Sequence, residues 1–106
     1  MKSLVRAKLL RVYMNENDRF ANRTLYVTLT NFLKENNMLL VTVLRGTMGM
    51  GRSNQLRKPR LLPIPNYLPI ILECLDEAEK MDSVLIKLGP ILEGYLYTIE
   101  EGELWK

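Results

Sequence analysis

The sequence predicts an α+β fold of the ferredoxin-like type, β-α-β-β-α-β, with a four-stranded antiparallel sheet and two helices on one face. Two observations predict it. Apolar residues recur every second position in some segments and every three to four in others, and the segments alternate in that order. The chain has 106 residues, 47% hydrophobic and 25% charged, which suits one core and not two. Right-handed crossovers then put both helices on the same side of the sheet.

Residues 5–14 alternate, with Leu10, Val12 and Met14 on one face and Leu9, Arg11 and Tyr13 on the other, so a strand is expected. Asn15-Glu16-Asn17-Asp18 has turn chemistry. From about Arg23 to Asn36 the period changes: Leu25, Leu29, Phe32 and Leu33 form a helical stripe, and Asn36-Asn37 ends it. Residues 38–45 are nearly continuous in apolar character and read as a central strand. An irregular stretch, 46–66, follows, with glycines and prolines throughout. Residues 67–75 read as the third strand, with Pro69 near its start. Asp76 followed by Glu79 matches a capping box opening the second helix, striped by Met81, Val84, Leu85 and Leu88, which Gly89-Pro90 should kink or end. Tyr95–Ile99 reads as the fourth strand, and Glu100–Lys106 as an acidic tail that Trp105 docks on its own or a neighbouring subunit.

This topology leaves one sheet face bare. Leu9, Tyr13, Ile71 and Leu75 line it, too apolar for a wetted surface, which marks an oligomer interface. Arg11 and Glu73 share that face, either as a buried ion pair or as edge residues reaching water.

The reactive inventory excludes much chemistry. There is no histidine, and Cys74 is the only cysteine, read as core filler. An internal disulfide, a Cys/His zinc site and any nucleophile served by a histidine base are therefore excluded. Acid–base catalysis would fall to Asp, Glu, Lys or Tyr alone, so a binding or regulatory protein is favoured. The net charge of +3 does not by itself argue for nucleic acid. No apolar run reaches membrane-span length, and charges at Lys2, Arg6 and Lys8 occupy the place of a signal peptide's apolar segment, so a cytoplasmic location is expected. The glycosylation sequon Asn22-Arg23-Thr24 is read as chance.

The segment Arg45–Arg60 carries five positive charges and no acid. Glycines let successive N–H groups converge on an anion, and arginines add bidentate donors. Neither a phosphate-binding P-loop nor a dinucleotide fingerprint is present, so the residues leave open a plain solvated basic loop.

Thr42-Val43-Leu44-Arg45-Gly46, Gly49-Met50-Gly51, Leu68-Pro69-Ile70 and Asp76 resemble domain-of-unknown-function family 190, over about Lys8 to Glu101. Members of that family resemble the PII nitrogen-signalling proteins in fold. Gly49–Gln55 is also similar to the opening of the large PII loop, with Met50 in place of an aromatic and two residues between Arg52 and Gln55. The resemblance implies a non-enzymatic homotrimer with inward-facing sheets. It implies a small anionic effector, an adenine nucleotide above all, in clefts between subunits at the loop base. It also implies a protein partner such as a membrane channel or transporter. On that reading Arg45, Gly46, Gly49, Gly51, Arg52 and Ser53 bind ligand, while Arg57, Lys58 and Arg60 face a partner. No metal or nucleic acid is expected. The alternatives are a small enzyme acting on a phosphorylated substrate through the basic loop and an RNA-binding ferredoxin-like module. The latter displays aromatics on its central strands, and here only Tyr13 qualifies.

Overall fold

Strand β1 (Leu4–Asn15) is followed by a hairpin of β2 (Arg19–Phe20) and β3 (Arg23–Thr24), then by helix α1 (Leu25–Glu35) and strand β4 (Leu40–Arg45). A short ladder of β5 (Gly49–Met50) and β6 (Leu56–Arg57) precedes β7 (Pro69–Glu77), helix α2 (Ala78–Leu92) and β8 (Leu96–Trp105). This computed structural model describes residues 1–47, 49–50, 56–57 and 68–106. The main sheet is antiparallel in the order β4-β7-β1-β8, with both helices packed on one face, as the sequence predicts.

Strand alternation builds the core. Leu10, Val12 and Met14 of β1 and Ile70, Leu72 and Cys74 of β7 turn toward the helices. They meet Leu25, Leu29 and Leu33 of α1 and Met81, Val84, Leu88 and Leu92 of α2. Each such side chain contributes about 1.5–3 kcal/mol by leaving water. Asn37, at φ 57°, turns the chain out of α1, a conformation asparagine tolerates. Ala21 and Asn22 (φ 51° and 63°) make the tight β2–β3 turn, which the sequence reading missed.

Several expectations are corrected. β4 is an edge strand, not a central one. Its run is continuously apolar because Val41 packs on the core while Leu40 and Leu44 belong to the open sheet face. Asp76 is not the helix cap: it sits in β7 with its carboxylate turned inward, and the cap position falls to Glu77, whose side chain makes no capping bond. Pro90 lies inside α2 rather than ending it. Its missing N–H falls in the final turn, and buried Leu88 and Leu92 hold that turn to the sheet. Lastly, the acidic tail is strand: β8 pairs with β1 from Leu96↔Tyr13 to Trp105↔Leu4. Trp105 is mostly exposed, so it does not dock on its own chain. The loop also contains regular structure, the β5–β6 ladder pairing Gly49 with Arg57 and Met50 with Leu56.

Cys74 is fully buried, and burial, reinforced by the charge of Asp76, pushes its thiol up to about 12. The thiol is therefore neutral at pH 8. Maleimide is expected to leave native protein unlabelled there and to label it in urea; rapid native labelling would contradict this burial. The neutral thiol favours the fold below the ordinary pKa of about 9, and that contribution is lost as pH rises toward about 12.

Candidate functional site

The topology gathers one end of the sheet. β1 finishes there at Asn15, β4 at Arg45, and β7 and β8 begin there at Pro69 and Leu96. Both feet of the long loop stand on adjacent strands: Arg45 pairs with Ile70, and the Gly46 N–H donates to the Pro69 carbonyl at 2.8 Å. A Cβ on Gly46 would sit 2.7 Å from Pro69 Cγ, so glycine is what lets the two feet close.

The turn after β1 braces this base. The Glu16 N–H donates to the Leu68 carbonyl at 2.8 Å, and Glu16 Oε1 lies 2.5 Å from Arg45 Nη2. The Asp18 carboxylate accepts the Asn15 N–H at 2.7 Å, and the Asp18 carbonyl accepts the Leu25 N–H that opens α1. Tyr95 packs beside the core at the same end; burial first, then the charge of Asp18, raises its pKa. Arg45 and Glu16 thus pair at the loop base, and Asp18 and Tyr95 stand at the same end of the sheet.

Of the residues assigned to ligand, Arg45 stands at this base with its guanidinium half exposed and paired to Glu16. The Gly46 N–H is engaged by Pro69 and is not free to meet an anion. Gly49 contributes backbone to the β5–β6 ladder, as does Arg57. Gly51, Arg52, Ser53, Lys58 and Arg60 lie outside the described residues. Sequence reading missed Glu16 and Asp18 as site residues. Their only signal was a polar turn, which acquires meaning once β1 is seen to end beside the loop. Among the described residues no group of three acidic, cysteine or histidine side chains is placed to hold a metal, and no helix is long and apolar enough to cross a membrane.

The sequence profile of DUF190, described as "Uncharacterized ACR", matches residues 7–104. The chain belongs to the DUF190 family. This DUF190 chain is 32% identical over 101 residues to a UPF0166 protein of Aquifex aeolicus, covering 95% of each chain. A UPF0166 protein of Methanocaldococcus jannaschii is 29% identical over 90 residues, covering 85% of this chain and 82% of the relative. Solved structures share the fold. One is CPII, a nitrogen regulatory PII-like protein from Thiomonas intermedia K12, solved bound to ADP, AMP and bicarbonate. It superposes at TM-score 0.65 and 13% identity over 98% of this chain and 91% of CPII. A PII-like signalling protein of Thermus thermophilus gives 0.62 and 17% over 97% and 91%.

The open sheet face of this DUF190 chain has a charged centre. Arg11 Nε donates to Glu73 Oε2 at 2.7 Å, and Arg11 Nη1 donates to the Glu100 carboxylate. The hydrogen bond that Arg11 donates to Glu73 is the main cause of its raised pKa. All three residues lie on β1, β7 and β8 in mid-strand, with the Arg11 and Glu73 side chains 31% and 29% exposed. Of the two readings of Arg11 and Glu73, the ion pair is the one observed. Around it lie Leu9, Ile71 and Leu75, half-buried, and Tyr13, Leu40, Leu44 and Leu96, exposed.

At the far end of the sheet, a groove of about 590 Å³ runs beside the start of α2, between Arg6, Lys8, Glu79, Lys80, Asp82 and Glu101. With Glu77 its acids outnumber its cations, and Lys8 is tied to Asp82 at 2.6 Å, so nothing in it selects an anion.

Proposed function

We propose that this chain is a PII-like regulatory protein, one domain over residues 1–106, that forms a homotrimer through its open sheet faces. In this reading it binds a small anionic effector, an adenine nucleotide, in the clefts between copies at the base of the 46–66 loop. The supporting observation is the loop base itself. Two strand ends are pinned side by side where a segment, Arg45–Arg60, with five cations and no acid begins, Arg45 being its first residue. CPII, built on the same fold, was solved with ADP, AMP and bicarbonate. Gly49, Gly51, Arg52 and Ser53 supply the remaining donors, and Arg57, Lys58 and Arg60 face a protein partner, of which a membrane channel or transporter is the proposed kind. No catalytic role is assigned, because the cluster pairs acids with an arginine and offers no histidine.

Isothermal calorimetry with ADP, AMP, ATP and bicarbonate tests the ligand, and saturable binding of an adenine nucleotide is expected. Light scattering tests the assembly. Three chains of 12.3 kDa give about 37 kDa. A monomer at micromolar concentration would remove the cleft between copies, and with it this reading.

A further inference from the structure

Glu16 touches both feet of the loop. Its backbone N–H holds Leu68, the residue at the exit, and its carboxylate holds Arg45, the residue at the entrance. The carboxylate is the more enclosed partner: 20% of the Glu16 side chain is exposed against 53% of Arg45. Its second oxygen, Oε2, is buried with no hydrogen-bond partner among the described residues. The cation best placed to receive an anion at the loop base is therefore already occupied by an anion of the chain itself.

We infer that Glu16 is an internal competitor for Arg45 and so sets which anions the site accepts. This rests on the proposed binding of an anionic effector at the loop base. Arg45 forms a charge-assisted pair with whichever anion offers the stronger field. A singly charged carboxylate or bicarbonate has no advantage over Glu16, which is tethered beside the guanidinium. A di- or triphosphate carries more charge and more acceptor oxygens, and it displaces Glu16 or shares Arg45 with it. The same carboxylate repels any anion that fails to displace it. Glu16 thus acts as a specificity residue, tuning the site toward multiply charged phosphates and against small monoanions.

The test is a double-substitution cycle on the full chain, read by calorimetry with ADP, inorganic pyrophosphate and bicarbonate. Glu16→Gln keeps the side-chain shape and the backbone bond to Leu68 but removes the charge. It is expected to tighten ADP and pyrophosphate about tenfold. It should improve bicarbonate by a larger factor, narrowing the preference. Arg45→Gln should weaken ADP. With Arg45 already replaced, Glu16→Gln should gain much less, only the part due to direct repulsion of the anion by the carboxylate. Glu16→Ala, which also removes the competitor, should tighten binding with the same sign. Melting temperature and light-scattering mass report whether each variant stays folded and assembled.

Weaker or unchanged binding of ADP by both folded Glu16 variants overturns the competitor role while leaving nucleotide binding intact. An equal gain from Glu16→Gln with and without Arg45 also overturns it, since the effect would then be general charge. If wild type and both Glu16 variants bind none of the three probes, the anion site itself is lost, and the inference with it.

Discussion

Replacing Arg52 by alanine is expected to weaken adenine-nucleotide binding by about ten- to hundred-fold, while Arg60→Ala changes it little. Each charge-assisted hydrogen bond from a guanidinium to phosphate contributes roughly 1.5–3 kcal/mol, which converts to that range of affinity. Both variants remove one positive charge, so a diffuse basic field would lose the same amount from each. Arg52 follows Gly49-Met50-Gly51, where backbone N–H groups can converge on an anion, and Arg60 follows Lys58-Pro59, where no glycine opens the backbone. Gly51→Val should act more strongly still. A branched side chain blocks close approach of the backbone, so binding should disappear while the particle mass by light scattering is unchanged. Calorimetry on the three variants in one buffer settles the matter, because equal losses from Arg52→Ala and Arg60→Ala would leave no defined cradle.

The largest expected loss of stability follows from Asp76→Ala, at about 3 kcal/mol in urea unfolding. Asp76 is 2% exposed and its carboxylate joins three elements. Oδ2 accepts the Leu39 N–H at 2.9 Å where the chain enters β4, and Oδ1 accepts the Glu77 N–H at 2.7 Å where α2 begins. Lys80 Nζ stands 3.5 Å away and offsets its charge. Alanine would leave two backbone donors without their acceptor, with water able to reach only the more exposed Leu39 side. Asp76→Asn keeps one acceptor oxygen and should lose less. A loss below about 1 kcal/mol for alanine would mean that water replaces the carboxylate fully. The effect bears on the site as well, since β4 carries Arg45 at its other end.

Asp76 also shows what a sequence pattern can and cannot say. Its spacing to Glu79 satisfies the capping-box rule, but the rule reads only local spacing, and the chain turns this carboxylate inward from a strand. The first strand and both helix stripes were legible because a single periodicity sorts their side chains into core and solvent. The second half of β8 was not. Glu100, Glu101 and Glu103 are poor strand formers alone, and what supports them is distant in sequence: Arg11 on Glu100, and Lys8 and Arg6 in register with Glu101 and Glu103. The edge position of β4 was hidden for a related reason, since a strand with an apolar open face has the composition of a central one. At the site, the loop's charge made Arg45 visible. Glu16 stayed invisible because its partner is supplied by the tertiary fold rather than by neighbours in the chain.

The two margins of the sheet are chemically unlike, and this limits the symmetry available to an assembly. On one margin β4 presents Leu40, Val43 and Leu44; on the other, β8 presents Glu100, Glu101 and Glu103. An edge strand as long as β8 invites a second copy to add to its free side. A two-fold axis through that margin would set the three glutamates of one copy against the same three of another, and like charges opposed across strands are unfavourable. Margin-to-margin dimers and open-ended ribbons through β8 are therefore discouraged by the residues that disguised the strand. The surface left for self-association is the sheet's broad apolar face, where in each copy Arg11 stands between the carboxylates of Glu73 and Glu100.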